Sequence, residues 1–272
     1  MQRRPERLTT IAVTGAAGTV GTIVCAHLEA RGHSVIAIDR IDGMPPQSRR
    51  ADLTDPAATQ LALAGADVVI HLAAINTPVD AEVMRNNLDS TRNVLAASAA
   101  LGITRIVLAS SINAIGMAFS AAPSFDYFPV DTEHRARPED AYSRSKHILE
   151  EDADEFCARH PEISVVSLRL HAVMSAEAAR HQQTRSGDGW AVNGLWGYAT
   201  PESVARAFEL ACTASVNGHE VLLVVAPKTF SPVRSARLAR EHFPGVPLRR
   251  ALWGHRGFFD TSRTTAVLGW KA

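Results

Sequence analysis

Residues 10–39 hold the feature that most constrains this chain: a β-rich run, a turn punctuated by glycines, an apolar-striped stretch and a second β-rich run. Thr10-Ile11-Ala12-Val13 suits a buried strand. It leads directly into Thr14-Gly15-Ala16-Ala17-Gly18-Thr19-Val20-Gly21. The following helix carries Val20, Ile23, Val24 and Leu28 on one side and stops at Gly32. Ser34-Val35-Ile36-Ala37-Ile38 repeats the strand pattern and ends at Asp39. Strand, turn, helix and strand in that order form one right-handed crossover of a parallel sheet.

The alternation continues. A short helix around residues 56 to 64 precedes a strand over Asp67–Leu72, and a longer helix over Ala81–Leu101 precedes one over Arg105–Ala109 that ends at Ser110-Ser111. Residues 117 to 139 show no clean period and are expected to be a loop. Ala141–Arg159 is expected to be helical, and Ser164–Arg169 and Glu220–Val225 are expected to be strands. Runs that are apolar on both faces imply a sheet covered by helices on each side. The expected fold is therefore α/β, a Rossmann-type doubly wound parallel sheet with a small C-terminal substrate-binding lobe. Residues 1–170 form the expected nucleotide-binding core with the catalytic residues, and 171–272 a mixed segment that completes the core and builds the lobe.

Gly15, Gly18 and Gly21 form a GxxGxxG array after the first strand. Such an array lets the chain turn tightly, brings backbone close to a pyrophosphate and packs the helix on the sheet. Backbone amides at the helix start supply an anion site without net positive charge, and Ala17, Thr19 and Val20 are expected to lie against the cofactor. Glycines that merely turn and cap remain the plain alternative. Asp39 ends the second strand, where a carboxylate accepts from both adenosine ribose hydroxyls and repels a 2′-phosphate. NAD is favoured over NADP on that ground, although the Arg40 guanidinium points the other way. Asp52-Leu53 is expected to close over the adenine, with surface and capping roles for Asp52 and Asp55 as the alternatives.

Tyr142 and Lys146 stand four residues apart in Ala141-Tyr142-Ser143-Arg144-Ser145-Lys146, and so share one helical face. An ammonium beside a phenol favours phenolate, the base needed to take a hydroxyl proton while hydride leaves the same carbon. Ser111, at the C-terminal end of a strand, is placed to donate to the substrate oxygen.

These pieces resemble the extended short-chain dehydrogenase/reductase family, the NAD-dependent epimerases and dehydratases. The matching segments are TGAAGTVG at 14–21, Asp39, DL at 52–53, HLAA at 71–74, NNLDSTRNVL at 86–95, SSINAIG at 110–116 and YSRSK at 142–146. The resemblance implies that Tyr142 is the acid/base, that Lys146 is its partner and a nicotinamide-ribose ligand, and that Ser111 is the substrate-oxygen donor. It also implies that Leu72, Ala73, Ala74 and Asn87 lie along the cofactor. The compact chain, SSINAIG and LWGYATPES look most like the uronate-dehydrogenase branch. His171-Ala172-Val173-Met174-Ser175 replaces the arginine-containing segment usual in nucleotide-sugar enzymes. A free sugar acid needs a cationic clamp, with Arg185 or Arg180 as candidates against the plainer reading of surface arginines. Asn76, Ile112 and Asn113 join Ser111 and Tyr142 in the expected substrate shell. A homodimer through the helices at 81–101 and 141–159 is a family expectation.

Other chemistries lack support in the sequence. Lys+Arg and Asp+Glu both number 28, which leaves no excess of positive charge for a general nucleic-acid binder. The 11 histidines are scattered without HExxH, so no catalytic metal is expected. No GxSxG is present, and Cys157 suits a small buried hydrophobe. No run approaches the roughly 20 apolar residues of a membrane helix. Three isolated cysteines suit a reducing, cytoplasmic setting, and MQRRPERLTT is expected to be an exposed lead-in. Glu150-Glu151-Asp152 is expected to be the wet face of its helix, Trp270 a packing anchor, and Trp190 and Trp196 either pocket walls or loop stabilisers. Three functions stand open: an NAD-dependent dehydrogenase acting on a small polar substrate, an epimerase or dehydratase that keeps its NAD, and an NAD-binding regulator with little turnover.

Overall fold

A computed structural model describes residues 9–42, 44–45, 47–77, 81–185 and 187–272. Residues 1–8 of the expected lead-in lie outside the described residues. In chain order the elements begin with β1 (Thr10–Thr14), α1 (Thr19–Ala30), β2 (Ser34–Asp39), β3 (Arg49–Arg50), α2 (Pro56–Leu63), β4 (Val68–His71), α3 (Ala81–Ala100) and β5 (Arg105–Ser111). A 3₁₀ turn over Ile112–Ile115 precedes α4 (Ala141–Arg159) and β6 (Ser164–Leu170). Then come α5 (Ala176–His181), a 3₁₀ turn over Gln182–Arg185, α6 (Gly189–Asn193), α7 (Pro201–Thr213), β7 (His219–Val224), α8 (Ser235–His242) and α9 (Ser262–Leu268).

The sheet has seven strands in the order β3-β2-β1-β4-β5-β6-β7, each neighbouring pair parallel. This is the Rossmann-like α/β fold the alternation implies. Winding reverses between β1 and β4, and the crevice for a ligand opens beyond their C-terminal ends. Local chemistry sets the helix starts. Asp55 accepts from the Ala57 and Ala58 amides ahead of α2, Asp140 from Ser143 ahead of α4, and Thr200 from Ser203 ahead of α7. Pro56 and Pro201 open α2 and α7, where a missing N–H costs nothing.

One face of the sheet is covered by α1 and α7, with Val24, Leu28, Val204, Phe208 and Trp270 in the core. The other face packs α2, α3 and α4 through Leu63, Val94, Leu149 and Phe156. A third cluster, with Phe128, Trp196, Phe230 and Phe258, sits beyond the strand ends. The irregular stretch at 117–139 threads into it: the Phe128 amide donates to Pro247 O at 2.9 Å and the Val130 amide to Phe258 O at 2.7 Å. Among the residues after 170, β7 completes the sheet and α7 covers it.

The expected wet face of α4 is overturned at Glu150. Glu150 is 5% exposed, and its carboxylate accepts from Arg169 Nε at 2.9 Å, Arg169 Nη2 at 2.7 Å and Ser110 Oγ at 2.5 Å. The reason is register, because the residue one turn after Lys146 faces the sheet that Lys146 faces. Trp270 is 1% exposed, with its Nε1 donating to Ser203 O at 2.8 Å, while Trp196 is wholly buried in the lobe core.

Candidate active site

The turn after β1 is shaped by three glycines with distinct reasons. Gly15 has φ of +66°, and a Cβ there would stand 2.7 Å from the Ala73 amide nitrogen. At Gly21 a Cβ would sit 2.1 Å from Gly15 O, so only glycine lets α1 pack this close to the turn. Gly18 caps α1 without a side-chain hydrogen bond, leaving the first-turn amides of Thr19, Val20 and Gly21 facing the cleft. This is an anion cradle made of backbone.

Two cavities meet at Gly15 and Gly18. The first, of about 330 Å³, is bounded by Ala17, Asp39, Arg40, Asp52, Leu53, Leu72, Ala73 and Ala74. Asp39 is fixed by the Ala17 amide at 3.0 Å and the Arg40 amide at 2.7 Å. Asp52 accepts from the Thr54 amide at 2.9 Å and hydroxyl at 2.8 Å, and the amide bond is the main cause that holds its carboxyl below the usual range.

The second cavity, of about 740 Å³, brings together Asn76, Ser111, Ile112, Asn113, Tyr142 and Lys146. Ser111 ends β5, and its Oγ accepts from the Asn113 amide at 3.1 Å. Tyr142 lines the same cavity. Lys146, 4% exposed, donates from Nζ to Ala109 O at 2.7 Å and lies 5.8 Å from the Tyr142 ring centre. Phe119 meets the tyrosine edge-on at 5.6 Å.

Burial raises the Tyr142 phenol, and the Ser111 hydrogen bond lowers it by less. Burial also pushes Lys146 down to about 8 against the opposing pull of Glu150. In the protein alone the phenol is therefore held neutral, and the ammonium gives up its proton more readily than an ordinary lysine. Burial is the largest influence on the phenol in the free protein.

Three sequence candidates, Asn87, Arg180 and Arg185, are not in these walls. Asn87 is 2% exposed and lines neither cavity. Its side chain accepts from the Ile75 amide at 2.8 Å and donates to Ile75 O at 3.0 Å and Ser145 Oγ at 3.1 Å. It acts behind the wall by holding Ile75, a residue of the first cavity. Arg185 is also outside: its side chain is 60% exposed and its Nε pairs with Asp188 at 2.7 Å. Its 3₁₀ turn lies outside the described lining of the cleft.

A buried relay that composition and motif did not reveal runs behind the site. The Thr91 hydroxyl donates to Asn87 O at 2.8 Å, so it must accept from His71 Nε2 at 3.1 Å. His71 Nδ1 is then an acceptor for the Thr14 hydroxyl at 2.8 Å, and Thr14 Oγ1 accepts from the Leu72 and Ala73 amides. On the far side Ser145 Oγ donates to Tyr142 O at 2.7 Å. Neutral His71, pushed by burial down to about 3, suits this chain of bonds. The relay joins the glycine turn to the helix that carries the tyrosine.

The model of the NAD dependent epimerase/dehydratase family matches residues 11–188, about two thirds of the chain. The chain belongs to that family. An L-arabinose 1-dehydrogenase (NAD(P)(+)) of Haloferax volcanii is 32% identical over 181 residues, covering 63% of this chain and 70% of the relative. An uncharacterised protein of Mycobacterium tuberculosis is 42% identical over 105 residues, 37% of this chain, and the match spans only 12% of that relative's length. Among solved structures, MoeE5 in complex with UDP-glucose and NAD aligns over 97% of this chain and 93% of its own, with 25% identity and a TM-score of 0.72. Uronate dehydrogenase from Agrobacterium tumefaciens aligns over 97% of this chain and 84% of its own, with a TM-score of 0.71 and 21% identity, a likeness of fold. The cradle suits the family's dinucleotide: backbone amides at the α1 start would take a pyrophosphate, with Asp39 in the wall of the adjoining cavity to meet a ribose. No described helix is long and apolar enough to cross a membrane. Among the described residues no cluster of three metal-ligating side chains occurs.

Proposed function

We propose that this chain is an NAD-dependent oxidoreductase that takes hydride and proton from a hydroxyl-bearing carbon of a sugar or sugar-acid type substrate. The observation that carries the reading is that Ser111, Tyr142 and Lys146 line one cleft continuous with the glycine cradle. The dinucleotide, when bound, supplies the hydride acceptor. Tyr142 takes the hydroxyl proton as phenolate, and Ser111 donates to the same oxygen as its charge changes. Lys146 spends one donor on Ala109 O and keeps others for the phenol side and a ribose. Asp39 and Asp52 together at the adenosine end support NAD over NADP, because a 2′-phosphate there would meet two carboxylates against Arg40 alone.

The test is NADH release from a panel of sugars and sugar acids with stoichiometric NAD. Accumulating NADH that disappears in Tyr142→Phe supports a dehydrogenase. Isomerised product without NADH would mean an epimerase. Dinucleotide binding without turnover in either protein would leave a binding protein.

A further inference from the structure

The cleft around Tyr142 is poor in charge. Among its described lining residues Lys146 is the only cation and no carboxylate occurs. His171 lines it but has no free atom to offer: Nδ1 accepts from the Ala172 amide at 2.7 Å, so Nε2 donates to Gly194 O at 2.8 Å. Burial pushes that imidazole down to about 4, which keeps it neutral. Arg180 is exposed, and Arg185 is turned to Asp188. The walls are aromatic and aliphatic. Trp190 lies nearly along Phe230, with ring centres 5.7 Å apart at 32°, and Phe119 closes beside Tyr142. Asn76 and Asn113 provide uncharged polar atoms.

A carboxylate or phosphate brought into such a cleft loses water and finds no ion partner besides Lys146, whose Nζ is held by Ala109 O, a heavy penalty. A sugar's C–H face, by contrast, gains contact with flat aromatic walls. Resting on the oxidoreductase reading above, we propose that the substrate is an uncharged sugar-type hydroxy compound laid against Trp190 and Phe119, and that sugar acids, sugar phosphates and nucleotide sugars are excluded.

The experiment compares neutral and acidic partners of one ring, D-glucose with D-glucuronate and D-galactose with D-galacturonate, and adds L-arabinose. NADH formation is followed alongside quenching of tryptophan fluorescence in the NAD-loaded protein. The neutral partner is expected to exceed its acid by at least about a hundredfold in kcat/KM. Trp190→Ala should raise KM for it about tenfold or more while changing kcat less, and Trp190→Phe should restore KM but lose the quench. An acid turned over or bound as well as its neutral partner overturns the proposal, as does an unchanged KM in Trp190→Ala. Absence of binding by every neutral sugar overturns it too. Neutral-sugar binding without NADH keeps the specificity but removes the oxidoreductase reading, so the two failures are separate.

Discussion

Burial moves the two titrating groups of the site toward their neutral forms, Tyr142 upward and Lys146 down to about 8. Oxidation uses the phenolate and reduction the phenol, so the two directions should respond to pH with opposite sign. Without dinucleotide, Tyr142 is expected to ionise above the ordinary tyrosine, read as the ultraviolet titration that Tyr142→Phe removes. With substrate, oxidation should gain rate as pH rises, while reduction falls. A phenol that ionises below the ordinary value in the free protein would contradict the desolvation argument. Tyr142→Phe should lower kcat/KM by about 10²–10⁴ yet keep dinucleotide affinity, because the cradle is backbone around Gly15 and Gly18. That Tyr142, Lys146, Ser111 and Asp39 line the joined cavities is legible in the sequence, because each sits at a fixed offset from a strand end or along one helix face. Asn87 and Arg185 lie outside the cavity walls of the free protein, and motif position does not tell a wall residue from the one behind it, nor a free guanidinium from one turned to Asp188.

Between elements, the ion pair of Glu150 on α4 with Arg169 on β6 is the most exacting joint. Both side chains are under 10% exposed, at 6% and 7%. Losing one partner strands a buried charge, whereas losing both removes the need for either. Arg169→Met should therefore cost about 3–5 kcal/mol in urea unfolding, and adding Glu150→Leu should recover much of it. A double variant no more stable than Arg169→Met would sink that account. The α1 start makes a second demand: Gly21→Ala places a methyl 2.1 Å from Gly15 O and should weaken both thermal stability and NAD binding, measured by calorimetry. Element order was readable because β4 and β6 are buried along their whole length and the helices between them are amphipathic. β3 escaped notice, being two arginines whose pairing with Ile38 and Asp39 is decided by the sheet edge rather than by their own propensity.

At the scale of the whole molecule, the lobe beyond the strand ends is held by single long-range bridges such as Phe128 with Leu248 and Val130 with Phe259, which leave no period in the sequence. Its attachment to the sheet also uses buried neutral imidazole. His171 at the end of β6 reaches Gly194 O, while His71 at the end of β4 joins β1 to α3. Their pKa values are pushed down by burial to about 4 and about 3, from an ordinary value near 6.5. The sign follows from proton counts. Above about 6.5 neither state binds a proton on these rings, so their neutral hydrogen bonds stabilise the fold in full. Below it the unfolded chain takes up protons that the folded chain refuses, so stability falls until the folded values are reached. Between pH 6 and 5 each ring should contribute a slope of roughly 1.4 kcal/mol per pH unit, and the two together roughly 3. Urea denaturation at pH 7, 6 and 5 measures it. His71→Gln and His171→Gln should each be less stable at pH 7, but each should flatten the slope by one proton. Equal slopes in wild type and both variants would show that the rings are protonated in the folded protein, and that the relay behind the site does not depend on a neutral His71.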